Sequence, residues 1–246
     1  MIVTVSPSAT VDDFIAPPCH GEIRILYQDD DILLLDKPTG LLSLSGKHPL
    51  NKDSVHYRLV TGQLKGLFAR PANTEELQAF PTAALVHRLD FGTSGIMVAA
   101  LHKRATAELS KQFQARSVSK SYIAILEGQL ENEQGVIDLP IAKDKPNFPL
   151  LKVCSESGKP ARSEYQVLER LQQPDRCRVR FSPKTGRTHQ LRIHSQAIGH
   201  PILGCDLYKN SRSEPMAERL LLHATELQFA HPTSGLPIHG RSVCPF

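Results

Sequence analysis

The densest group of reactive side chains in the sequence is His87-Arg88-Leu89-Asp90-Phe91-Gly92-Thr93-Ser94-Gly95, set between two apolar runs, Leu85-Val86 and residues 96–100. The pattern reads as a strand, a tight polar turn and a second strand. Gly92 and Gly95 supply bends or close backbone approach, and Thr93 and Ser94 can hydrogen-bond to nearby backbone or to Asp90, so the carboxylate would be held in one orientation. A carboxylate held in this way can act as a nucleophile or a general base. It can equally cap the turn while Arg88 pairs with a surface acid. The residues by themselves leave both readings open.

Other chemistries fit less well. The same stretch runs an HR.D and a DFG together on one aspartate, but a kinase needs separate catalytic and metal-binding aspartates, a glycine-rich phosphate loop and its lysine, and that set is not arranged here. His189 and His194 stand five residues apart, with His200 and His223 beyond. That interval is a poor fit to one helical face, there is no HExxH, and no acid lies between the two, so a structural or RNA-contacting role is favoured over zinc. Cys19, Cys154, Cys177, Cys205 and Cys244 are far apart, odd in number and without a CxxC, which reads as reduced thiols. No nucleotide-binding glycine motif is present, so neither a cofactor nor a metal is expected.

These side chains need a folded scaffold, and the composition supplies one. Apolar residues make up 40% and charged residues 22% of the 246, the balance of a globular chain rather than a disordered one. The longest apolar runs, at residues 32–35 and 220–222, are far below the roughly 18 to 20 residues of a membrane span. Asp12 and Asp13 stand where a secretory signal would place a basic end and an apolar run, so the expected location is the cytoplasm. A net charge of +4 and a pI near 8.8 permit a polyanionic partner.

An N-terminal arm over residues 1–20 is expected to precede one folded domain over residues 21–246. Ile23, Ile25 and Tyr27 alternate with Arg24 and Leu26, and a turn at residues 28–31 leads to the run 32–35, closed by Lys37-Pro38: a hairpin-like strand pair. Short helices are predicted near residues 54–59 and 74–80, and a longer one over 103–115, where Ala105, Leu109 and Phe113 recur every four residues. Strands are predicted at 121–126, 163–168, 176–182 and 220–229. In the third of these, Arg176, Arg178 and Arg180 form a row facing solvent or RNA. Residues 187–198 read as a helix stopped by Gly199. The mixture favours an α+β chain with a large, mostly antiparallel sheet.

The central nonapeptide resembles the catalytic HRLDxxTSG motif of the RluA family of RNA pseudouridine synthases. The same family is matched by Lys37-Pro38-Thr39-Gly40-Leu41-Leu42, by Lys120-Ser121-Tyr122-Ile123-Ala124, by the stretch from Gly186 through His194, by that from Gly199 through Tyr208, and by Leu221-Leu222-His223-Ala224. These blocks keep the family's order over about residues 20 to 235. Asp138-Leu139-Pro140-Ile141 and Gly158-Lys159-Pro160-Ala161 are similar to the RluA branch itself, whose members modify large-subunit (23S) ribosomal RNA and, in some cases, the anticodon stem-loop of tRNA. The resemblance implies a pseudouridine synthase fold, with a large mixed, mostly antiparallel sheet flanked by helices and loops and a catalytic cleft across the sheet. It also implies structured RNA as partner; the reaction needs no cofactor, and a monomer is expected. The N-terminal RNA-binding domain of many relatives has no room before Lys37-Pro38, so recognition is expected from the catalytic domain.

Converting uridine to pseudouridine breaks the N1 to C1′ bond, turns the base and rejoins it through C5. That requires a reactive carboxylate, a site that retains the free base and a group for the C5 proton. By resemblance Asp90 is the catalytic group, Arg192 the arginine paired with it, and Tyr122 the ring beside the base. Arg88 is the backbone contact that holds the nucleotide out of its stack, and Arg187 serves phosphate or local support. Leu191 and Ile193 occupy apolar motif positions, at least one of them lining the pocket. An RNA glycosidase and a noncatalytic RNA-binding protein of the same fold are the competing classes.

Overall fold

The computed structural model describes residues 14–64, 79–147 and 149–246. The first hairpin follows the sequence pattern: β1 (Arg24–Gln28) turns into β2 (Ile32–Lys37), with Arg24 opposite Asp36. Asp29 builds the turn, its Oδ1 accepting the backbone N–H groups of Asp31 and Ile32 at 2.9 and 2.8 Å. All of β2 is buried, because structure covers both of its faces.

Helix α1 (Val55–Thr61) begins at Ser54, whose hydroxyl accepts from the N–H of Tyr57, and ends at Gly62 in the left-handed region. Helix α2 (Lys103–Ala115) has the predicted limits and buries Ala105 and Leu109. The side chain of His102 caps it by accepting from Ala105 N at 3.2 Å. The helix expected near residues 74–80 lies almost wholly outside the described residues.

The remaining strands are β3 (Ala84–Leu85), β4 (Ser94–Ala100), β5 (Ser119–Glu127), β6 (Gln134–Asp138), β7 (Ile141–Lys143), β8 (Leu151–Val153), β9 (Arg162–Leu171), β10 (Arg176–Pro183), β11 (Leu222–Ala230) and β12 (Pro237–Arg241). Ten of the twelve form one sheet in the order β1-β2-β4-β11-β5-β10-β9-β6, with β3 added beside β4 and β12 beside β11; β7 and β8 pair separately. Among these strand pairs only β4 with β11 is parallel, so the sheet is mixed and mostly antiparallel, as the sequence implied. Tyr122, Ala124 and Leu126 oppose Phe181, Val179 and Cys177 on one face. The arginine row lies on the other, with Arg180 exposed and Arg176 and Arg178 half-buried. Two apolar clusters result, one around β2, β4 and α2 and one around β5 and β10, and Tyr122 packs against both.

Helix α3 (Gln190–Ala197) starts three residues later than predicted. Arg187 N donates to the Gln190 side chain at 3.0 Å, and His189 takes a left-handed φ of 56°, so residues 187–189 form a turn rather than a helical one.

The parallel β4–β11 junction depends on Gly95, which has φ +116° and where a Cβ would lie 2.2 Å from the Ala224 carbonyl oxygen. Gly95→Ala is expected to lower unfolding free energy in urea by about 3 kcal/mol or more, from the strained φ and the backbone clash together. His87, at the start of the turn carrying Asp90, accepts the Val98 N–H at Nε2 (3.0 Å) and stacks on Phe113. Desolvation of the ring, with Lys120 nearby, holds its pKa down to about 3. An unfolded histidine titrates near 6.5, so the unfolded chain binds more protons within that window and stability is lost as pH falls from about 6.5 toward 3. His87→Gln should reduce this slope, seen as a smaller drop in urea midpoint between about pH 7 and pH 4.5 than the parent shows.

Candidate active site

The turn carrying Asp90 is fixed mainly through its backbone. The Lys37 ammonium, fully buried at the end of β2, donates to the carbonyls of Leu41, Pro38 and Phe91 at 2.7, 2.9 and 3.2 Å. Gly40 N donates to Phe91 O at 2.9 Å and the Thr39 hydroxyl to Gly92 O at 2.7 Å. Ser43 brackets Leu89, giving its hydroxyl proton to Leu89 O and accepting from Leu89 N. The motif Lys37-Pro38-Thr39-Gly40 is thus the cradle of the catalytic turn. Burial holds the Lys37 pKa down to about 7, with Cys19 and Asp90 opposing it.

Of the partners open to Thr93 and Ser94, nearby backbone or Asp90, the side chain of neither bonds the Asp90 carboxylate. The Thr93 backbone N–H donates to Asp90 O at 3.1 Å. Ser94 Oγ turns to the reverse face, bonding His223 Nδ1 at 2.9 Å and accepting from Arg219 at 2.6 Å. There a buried chain continues from His223 Nε2 through Ser242 to Asp36. It anchors the junction from behind.

On the front face Asp90 opens into a cleft of about 480 Å³, walled by Arg88, Asp90, Tyr122, Arg187, Leu191 and Arg192 among others. Arg192 projects from α3 and is buried; its Nη1 lies 3.9 Å from Asp90 Oδ2. His189 Nε2 lies 4.0 Å from Asp90 Oδ1. Arg192 has further partners that sequence reasoning did not identify. It pairs with Asp206, donates to Cys205 Sγ at 3.3 Å, and sits over the Tyr208 ring at 5.3 Å. Tyr208 in turn bonds His189 Nδ1 through its hydroxyl at 2.9 Å. Burial pushes His189 below its ordinary value, with Asp90 opposing, so the ring favours the neutral form. Burial, and then Asp90, raise the Tyr122 phenol, which stays protonated.

Arg88 is exposed at the rim, and Arg187 donates Nε to Pro160 O at 3.0 Å, leaving the rest of its guanidinium at the mouth. Ile193 is a correction: it is 2% exposed, packs in the apolar cluster around β5 and β10, and is not among the lining residues. Two helical steps from Leu191 turn it by about 200°, away from the opening.

Of the other histidines, His194 bonds Ser163 and Leu139 O, and His200 bonds Glu127 O, as structural residues do. Among the described residues Asp29, Asp31 and His231 have metal-compatible spacing. His231 Nδ1 accepts two backbone N–H groups there and Nε2 faces Asp29 at 3.0 Å, so the group already works as a clasp between two turns, and it does not line the cleft.

Comparison with known proteins agrees with this geometry. Residues 31–197 match the family model described as RNA pseudouridylate synthase. The chain is 46% identical over 222 residues to the dual-specificity RNA pseudouridine synthase RluA of Yersinia pestis, covering 90% of this chain and 99% of that protein. It is 44% identical over 219 residues to the protein of the same name from Escherichia coli K12, covering 89% and 92%. The solved structure of human RNA Pseudouridylate Synthase Domain Containing 1 superposes with a TM-score of 0.70 at 26% identity, over 94% of this chain and 87% of that one. With the motif blocks in family order and the aspartate, tyrosine and arginine gathered on one cleft, the chain belongs to the RNA pseudouridylate synthase family.

Proposed function

We propose that the protein converts loop uridines of large-subunit ribosomal RNA and of a tRNA anticodon stem-loop to pseudouridine, with Asp90 as the catalytic carboxylate, acting as a cytoplasmic monomer. The observation that carries this reading is the convergence of Asp90, Tyr122 and Arg192 on one cleft. The breadth of target is supported by the relatives' name, dual-specificity. Among the described residues no helix is long and apolar enough to cross a membrane.

A cleft of about 480 Å³ falls in the range of small-molecule sites, roughly 300 to 1,000 Å³, and accepts one extruded nucleotide rather than a duplex. Extrusion costs a few kcal/mol, least where the uridine already lies in a loop, and Arg88 and Arg187 at the mouth offset part of it through phosphate contacts. Inside, the carboxylate of Asp90 faces the ribose and base. Attack at C1′, addition at C6 and removal of the C2′ proton each require that carboxylate within reach of the target nucleotide. Arg192, locked between Asp206, Cys205 and the Tyr208 ring, keeps its positive charge toward Asp90 without swinging away. Tyr122 meets the uracil as a neutral ring for stacking, and its hydroxyl takes part in the C5 proton transfer. The apolar side of Leu191 helps retain the detached base.

Purified protein in EDTA, given ribosomal RNA and tRNA transcripts tritiated at uridine C5, should release tritium from both and leave pseudouridine in the digested RNA. Asp90→Asn should bind both RNAs and release none; release at the parent rate would refute the role of Asp90. Free uracil with abasic sites in place of pseudouridine would identify a glycosidase. Tyr122→Phe should keep RNA affinity while kcat falls by about 10²- to 10⁴-fold, the usual contribution of a positioned proton-transfer group, measured in single-turnover assays.

A further inference from the structure

The active-site cleft does not end at its own rim. A second cavity of about 520 Å³ continues from it, and Arg116, Val118, Lys120, Pro183 and Lys184 wall both. The extension passes over the ends of β5 and β10, from the cleft face beside Tyr122 to the reverse face at Arg180 and Ser182.

We propose that this furrow carries the phosphate backbone of the RNA strand flanking the target uridine, with Arg116, Lys120, Arg180 and Lys184 as its phosphate contacts. The proposal rests on the functional reading above and adds to it a path for the strand.

The charge balance of the walls supports it. Arg116 and Arg180 are exposed, and their guanidinium groups have no hydrogen bond or ion pair among the described residues. Lys120 is half-buried and also without a counterion among them; burial, with Arg116 next in effect, lowers its pKa. A desolvated cation without an acid beside it is an unfavourable arrangement until an anion arrives. Lys184 holds Glu164 at 2.9 Å, an exposed pair of the kind that exchanges readily for phosphate. The acid on the walls of the second cavity, Glu226, faces His239 and Arg241 at 3.5 and 3.6 Å. Ser121, whose hydroxyl has no hydrogen-bond partner among the described residues, adds to the polar lining.

The chemistry of the walls also selects which part of the RNA fits. Among the described residues Val118 and Pro183 are the apolar lining and no aromatic ring lines the furrow, so these walls offer no platform for stacking bases. Cations without aromatics position a backbone and carry no sequence information. Base reading stays with the cleft, where Tyr122 stands.

The test uses the full chain carrying Asp90→Asn, so that binding is measured without turnover, and a tRNA anticodon stem-loop transcript as probe. Log Kd is followed against log salt from about 50 to 200 mM, where each single-strand phosphate contact contributes about 0.7 to the slope. Arg116→Gln with Arg180→Gln should lower the slope by about 1.4, whereas Arg104→Gln, at the opposite end of α2, should leave it unchanged. In the Asp90 parent the same double substitution should act on KM rather than on kcat. A double variant that melts like its parent yet keeps the parent slope and KM would overturn the furrow while leaving the reaction assignment intact. A parent protein that converts neither RNA class would overturn both.

Discussion

A single buried ammonium holds the turn carrying Asp90 in place. Lys37 leaves β2 with no solvent contact and spends its three protons on carbonyls from two segments, Pro38 and Leu41 on one side and Phe91 on the other. Taking a lysine out of water is costly unless every proton finds an acceptor, so the arrangement tolerates little displacement of those oxygens. Because Phe91 follows Asp90 directly, the position of the carboxylate is set by an amine that is not among the residues lining the cleft. The rest of the site is arranged around that fixed point.

Arg192 follows the same logic. Its loose approach to Asp90, 3.9 Å, would orient neither group by itself. The closer contacts behind it, Asp206, Cys205 and the Tyr208 ring, do the holding, and the approach to Asp90 is their consequence. A guanidinium suits this task because its planar fork can satisfy several partners at once and does not lose its proton.

Much of this was legible in the sequence where the signal is local. The four-residue recurrence of Ala105, Leu109 and Phe113 gave α2 its limits, and the alternation ending at Lys37-Pro38 gave the β1–β2 hairpin. The motif around Asp90 marked the site. What stayed hidden depends on partners far along the chain. Strands β6, β7, β8 and β12 are short and exist through pairing, β12 against β11 and β6 against β9. Asp206 stands in a recognised block, yet nothing in the block says that it faces Arg192. The late start of α3 depends on one side-chain bond from Gln190 and one left-handed residue, His189, which periodicity does not register. Ile193 was misplaced because a motif position identifies a residue type without stating its direction on the helix.

The parallel seam between β4 and β11 ties together residues 129 apart, Ser94 and His223, with Gly95 pressed against Ala224. During synthesis the chain emerges from its N-terminal end, and contacts of such long range form late. The hairpin and α2 can assemble early, but β11, which pins the Asp90 turn from behind, follows α2 only after a long stretch of further strands. A nascent chain therefore carries Asp90 without that backing until β11 has emerged. The cleft around Asp90 is backed on both faces only once β11 has joined β4.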